Sequence, residues 1–192
     1  GVDIKGARLW KGAKYAEEHS LKNVAFLRTR IEFIESLFAP GEVSEIWITF
    51  ADPQIGREKK RLTAPLFMSR YRNFLKPGGI IHLKTDSRYL HEYSRAMAEQ
   101  NGLHILAAAT DIYGADRERL YESEFSSICG PAAVDALFEV QTFYESQYLA
   151  QGFQITYLAF MPDHEGDYIS PEWPEDTWKD ENHHFVVPSG LP

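Results

Sequence analysis

The sequence predicts an α/β protein built on a doubly wound, mostly parallel sheet. Short apolar runs of about 5–8 residues alternate with amphipathic patterns of about 10–15, the signature of strands joined by crossover helices. Two of those runs, residues 45–50 (EIWITF) and 79–84 (GIIHLK), each end in an acid within two residues, at Asp52 and Asp86. With 192 residues, 44% of them hydrophobic, the chain can bury one substantial core.

Residues 1–5 read as a strand with Asp3 near its carboxyl end, and residues 6–19 as the helix after it. A strand over 23–28 follows, then a short amphipathic helix over 31–38 closed by Pro40-Gly41. The strand at 45–50, rich in β-branched and aromatic residues, stops at Ala51-Asp52-Pro53. Residues 62–75 form a helix with Pro65 in its first turn, where proline is tolerated, and Lys76-Pro77-Gly78-Gly79 stops it. The strand ending at Lys84 leads into a helix over 88–101, and residues 103–110 form a further strand. The stretch 111–139 is less periodic: 117–127 reads as helical, Gly130-Pro131 breaks it, and 132–138 reads as another short helix. A helix over 140–151, ended by Gly152, precedes a closing strand over 153–161 at or near a sheet edge. We therefore place the domain at 1–161, and a proline-, tryptophan- and acid-rich tail at 162–192 in which Trp173, Trp178 and Phe185 pack on the body.

Charge is uneven. The net charge is −8, yet residues 162–192 hold eight acids against Lys179 alone, so the body is close to neutral. A near-neutral body carrying the run Arg57, Lys59, Lys60 and Arg61 can bind RNA phosphates locally. Cys129, the single cysteine, excludes an internal disulfide and reads as a small buried thiol. His183-His184 lacks other ligand-spaced residues, so no metal site is expected. No apolar run approaches the ~20 residues of a membrane span and no signal peptide opens the chain, so cytoplasmic residence is expected.

In open α/β sheets, ligands gather beyond the carboxyl ends of the strands, where Asp52 and Asp86 fall together. A carboxylate there also pairs well with the vicinal diol of a ribose, the role expected of Asp3. No Gly-x-Gly-x-x-Gly, P-loop or Gly-x-Ser-x-Gly is present. A nucleotide-binding domain places a strand and a glycine-rich turn before an acid like Asp3, so the sequence is expected to start one β-α unit late.

Taken together, GVDIK, NVAFL, ITFADP, KRLTAPLF, LKPGGIIHLKTDS and TFYESQYLAQGFQITYL, spread over residues 1–160, resemble the bacterial tRNA (guanine-N7-)-methyltransferase family. The resemblance implies the seven-stranded, Rossmann-like class I methyltransferase sheet with an antiparallel last pairing, S-adenosylmethionine as cofactor and tRNA as partner. It puts Asp3 at the cofactor ribose, Arg30 beside the adenine, and Asp52 at the catalytic, cofactor-proximal position. Asp86, Thr142 and Glu145 stand at substrate-binding positions. The family's substrate-contacting lysine falls on or beside Gly56, with Arg57 the nearest cation. Tyr144 would help expose the target base. Two other readings remain open at this point: a class I methyltransferase acting on a small molecule or protein, and a non-catalytic RNA-binding module.

Overall fold

The computed structural model describes residues 1–173. In chain order they form β1 (Val2–Asp3), α1 (Gly6–Glu18), β2 (Leu27–Arg28), a 3-10 helix (Ile31–Leu37), β3 (Val43–Thr49), a 3-10 turn (Glu58–Lys60), α2 (Pro65–Arg72), β4 (Leu75–Thr85) and α3 (Arg88–Gln100). Then come β5 (His104–Ala109), α4 (Arg117–Tyr121), α5 (Glu124–Cys129), α6 (Pro131–Glu139), α7 (Phe143–Ala150) and β6 (Thr156–Met161).

Among the described residues the strands form a parallel pair, β1–β2, and a four-stranded sheet in the order β3-β4-β6-β5. β3 and β4 are parallel, and β6 runs antiparallel to both its neighbours. The closing strand thus lies one in from the β5 edge, near an edge as the sequence pattern had placed it, and is paired on both sides. Its composition explains this: Thr156 through Phe160 are all buried, so both sides of the run need cover. Period two sorts them. Leu158 and Phe160 join Ile81 and Leu83 in a core closed by α2, α3 and the 3-10 helix. Tyr157 and Ala159 face the opposite core, with Leu106, Ala109 and residues of α4 to α6. Helices on both faces complete the expected α/β layering.

Several boundaries move for physical reasons. Lys76-Pro77-Gly78-Gly79 is a bulge inside β4 rather than a turn before it, since Val43 pairs with Leu75 and Glu45 already with Ile80. The bulge needs its glycines: Gly78 has φ +71°, and a Cβ on Gly79 would stand 2.6 Å from Leu75 Cγ. The strand expected over 23–28 shortens to Leu27–Arg28, and the helix expected over 31–38 takes the tighter 3-10 form. Residues 162–173 are strapped to the body. Arg72 Nη1 donates to the carbonyls of His164 (3.1 Å) and Gly166 (2.6 Å), Asn101 exchanges two bonds with Ile169, and Trp173 packs edge-on against Tyr89 and Tyr93. Trp178, His183, His184 and Phe185 lie outside the described residues. Among the described residues no helix is long and apolar enough to cross a membrane, and no group of three or more His, Cys, Asp or Glu could hold a metal.

Candidate active site

β3 and β4 end together. Thr49 pairs with Lys84, and Phe50 N donates to Lys84 O at 2.9 Å, so Asp52 and Asp86 leave the sheet at the same edge. Asp52 sits in a sharply turned loop. Phe50 (φ 51°) and Gln54 (φ 52°) both occupy the left-handed region, at a cost of about 1 kcal/mol or more each for residues with a Cβ. Asp52 Oδ1 accepts from Gln54 N at 2.8 Å, which supports the turn and leaves an exposed carboxylate.

What holds this loop is Arg61. Its side chain has no exposed surface; Nε donates to Pro53 O (2.9 Å), Nη2 to Gln54 O (3.1 Å) and to the Tyr89 hydroxyl, and the guanidinium lies 3.9 Å from the Tyr93 ring centroid. The basic run therefore divides. Arg57, Lys59 and Lys60 are exposed, whereas Arg61, which the sequence assigns to phosphates with them, points inward. Burial of Thr63 and Ala64 behind it turns the chain into the core, and a buried guanidinium needs acceptors that the loop carbonyls supply. Gly56 (φ +71°) and Arg57 lie on the solvent side of the same loop.

A buried ion pair builds the second wall. Lys84 Nζ contacts Glu145 Oε1 at 2.5 Å and donates to Leu137 O at 2.5 Å and Val140 O at 3.5 Å. Burial pulls Lys84 below the usual lysine range, and Glu145 opposes that shift. Tyr113 also donates to Glu145 Oε1 (2.8 Å); burial first and Glu145 second push its hydroxyl well above the usual tyrosine range. Thr142 and Glu145, the expected substrate residues, form a capping box at the start of α7: Thr142 Oγ1 accepts from Glu145 N and Glu145 Oε2 from Thr142 N. Glu145 is wholly buried, while neighbouring Tyr144 is exposed. Asp86 is half-buried just before Ser87, which caps α3. Tyr148 of α7 stacks on Phe50, and its hydroxyl is raised by burial and then by the charge of Asp86, so the ends of β3, β4 and α7 converge.

The third wall is the end of β1. Asp3 Oδ1 accepts from Lys5 N at 2.8 Å, and Oδ2 is 3.5 Å from Arg8 Nη1. Arg8 Nη2 in turn donates to the Tyr144 hydroxyl at 3.0 Å, which ties the carboxyl edge of β1 to α7. Thr29 N donates to Asp3 O, so the backbone before Arg30 lies beside Asp3. The Arg30 side chain is exposed and paired with Glu32 at 3.3 Å. Sequence reading missed Arg8 and Lys84 altogether. For Lys84 the signal was a lysine closing an apolar run long enough to be buried; for Arg8 there was none.

Strand-end carboxylates at one edge of an α/β sheet, beside a cationic loop, stand where sheets of this class hold their ligands. A family described as "putative methyltransferase" matches residues 1–123. The chain is 52% identical over 162 residues to a tRNA (guanine-N(7)-)-methyltransferase of Christiangramia forsetii, covering 83% of this chain and 66% of that one. It is 46% identical over 171 residues to the enzyme of that name from Bacteroides fragilis, covering 89% and 62%. Among solved structures, geranyl diphosphate C-methyltransferase from Streptomyces coelicolor A3(2) shares 18% identity at a TM-score of 0.43, covering 88% and 64%. The chain belongs to the tRNA (guanine-N7-)-methyltransferase family. It spans 62% of the length of the Bacteroides fragilis relative.

Proposed function

We propose that the protein transfers a methyl group from S-adenosylmethionine to N7 of a guanine in tRNA, in the cytoplasm, with residues 1–161 as the catalytic unit and 162–192 as an appended acidic segment. The observation that carries this reading is the Asp52 loop, fixed from below by Arg61 and facing the same edge as Asp86.

The residues present fit the cofactor. Asp3 is a partly exposed carboxylate at a strand end, steadied by Lys5 N, and suits a ribose diol; the backbone at Thr29-Arg30 beside it suits the adenine edge. Bound S-adenosylmethionine supplies an electrophilic sulfonium methyl. Guanine N7 carries an in-plane lone pair and no proton, so the chain need not supply a general base. Its work is positioning and electrostatics. Asp52 and Asp86 accept hydrogen bonds from guanine N1–H and the exocyclic amine, a donor pattern adenine lacks, and their charge offsets the positive charge that builds on the methylated ring. Arg57, with Lys59 and Lys60, holds phosphates near Gly56. Thr142 and Glu145 act through the shape of the α7 start, from which Tyr144 projects.

Nucleoside mass analysis of unmodified tRNA after incubation with labelled S-adenosylmethionine tests this, with the Bacteroides fragilis relative as positive control. The expected product is N7-methylguanosine. Asp52→Ala should lower its yield at least about 100-fold while tRNA affinity stays within twofold, as expected when an interaction made in the transition state is lost. Wild-type turnover in that variant overturns the role of Asp52. No product from the folded wild-type chain overturns the function.

A further inference from the structure

The first 30 residues carry seven bases against three acids, in a chain whose net charge is −8. Three of the seven, Arg8, Lys11 and Lys14, lie on α1, which also carries Glu17 and Glu18 at its end. Leu9, Gly12 and Ala16 line the inner side of α1, where Gly12 sits so close to Phe26 that a Cβ would lie 2.8 Å from its ring. At 100° per residue, Ala7, Trp10, Lys11, Lys14 and Glu18 fall on the opposite side. Trp10 is 63% exposed and Tyr15, at the flank, 57%. Single exposed aliphatics are unremarkable on a protein surface, but a tryptophan left open among lysines is not. Lys14 Nζ lies 5.4 Å from the Trp10 ring centroid, so cation and aromatic alternate along the face. At the edge of this face Arg8 lies over Tyr144, its Cζ 5.1 Å from the ring centroid, beside exposed Phe143. The face is therefore continuous with the start of α7 and with Asp3.

Resting on the methyltransferase reading, we propose that the outward face of α1 is a second tRNA-docking surface, in which Lys11 and Lys14 hold backbone phosphates and Trp10 stacks on an unpaired base. Charge complementarity selects the partner: a polyanion with exposed ring faces matches lysines interleaved with an open indole. Arg8 is already engaged by Asp3 and Tyr144, so the ionic contact falls to Lys11 and Lys14. Lys14 also has Glu18 at 3.7 Å, both side chains being more than half exposed, a contact that a phosphate can displace. α1 begins at the carboxyl end of β1, so tRNA lying on this face and on the 57–60 loop frames the Asp52–Asp86 edge from two sides.

The test measures binding of an unmodified tRNA transcript over a salt series, with the wild type, Lys11→Ala/Lys14→Ala, Trp10→Ala and, as control, Lys76→Ala. Lys76 is exposed in the β4 bulge, at the opposite end of the strand from Lys84. The double lysine variant should bind about tenfold more weakly, with the slope of log K against log salt shallower by about 2. Trp10→Ala should weaken binding about tenfold at unchanged slope, because stacking releases no counterions. Lys76→Ala should behave as wild type. An unchanged slope in the double variant, or an equal loss in Lys76→Ala, overturns the surface while leaving the substrate reading in place. Concentration-dependent self-association that Trp10→Ala abolishes also overturns it, in favour of a second copy as occupant. If the wild type fails to bind tRNA at all, the substrate reading falls and the surface with it.

Discussion

A guanidinium with no exposed surface must place its N–H donors inside the protein, and at Arg61 they go to the Pro53 and Gln54 carbonyls and the Tyr89 hydroxyl. Those carbonyls belong to the loop that carries Asp52, between two left-handed residues that the backbone would otherwise relax. Arg61 thus acts on the site through geometry, as a positioning residue. Arg61→Met keeps much of the side-chain volume but leaves two carbonyls without their donors, which should destabilise the fold by about 2–4 kcal/mol in urea denaturation. Arg61→Lys should recover part of the stability, since an ammonium satisfies one carbonyl but cannot fork. Methyl transfer should fall further than stability accounts for, measured at a temperature where both variants are fully folded; activity equal to wild type in folded Arg61→Met would refute the latch. Lys84 and Glu145 follow similar logic inside the protein, where their ion pair welds α6 and α7 to the end of β4.

At the scale of elements, α7 is set by its first turn. The reciprocal bonds of Thr142 and Glu145 satisfy two amide donors that a helix start leaves open. Thr142→Ala should cost about 1 kcal/mol, lowering Tm by about 2–4 °C, and Thr142→Ser should be nearly silent; calorimetry of both variants checks this. The box is written in the sequence as Thr-x-x-Glu, so the existence of α7 was legible, as were β3, β4, α3 and β5, whose apolar runs are strong. That β6 is inserted between β4 and β5 was not, because an apolar run of six residues reads the same whichever strands it pairs with, and pairing is a long-range choice. β2 shrank because residues 23–26 are mostly exposed, and a pattern of apolar residues without burial has nothing to hold it extended. In the candidate site, Asp52, Asp86 and Asp3 were legible as strand ends. The inward turn of Arg61 and the Lys84–Glu145 pair were not, because charge in a sequence says nothing about which way a side chain faces.

At the scale of the whole molecule, two of the histidines among the described residues lie in the interior, one on each of two packed elements. His82 on β4 is stacked face to face on Trp47 at 3.9 Å, with Nδ1 2.8 Å from the Tyr157 hydroxyl. Burial lowers it to about 4, against the opposing pull of Glu45, whose carboxylate is 3.4 Å from Nε2. His91 on α3 is fully buried, and neither ring nitrogen has a hydrogen-bond partner among the described residues. Burial lowers it too to about 4; Glu92 and Asp116 act to raise it, Arg88 and Arg95 to lower it. Unfolded histidine titrates near 6.5, so between pH 6.5 and 4 the unfolded chain binds more protons than the folded one. The contribution of both residues is therefore complete above pH 6.5 and is lost as the pH falls through 4. Each is about 2–3 kcal/mol at the acid end, a large share of the stability of a domain this size. Urea midpoints measured from pH 7 to 4 should fall steadily in the wild type. His91→Phe fills the same apolar site without a titrating ring, and its decline over that range should be about half as steep. An equal slope in the variant would place the acid sensitivity elsewhere, in carboxylates such as Asp116, whose pKa is held below the usual range by the Thr110 and Asp111 amides despite its burial, and which loses that support only at lower pH.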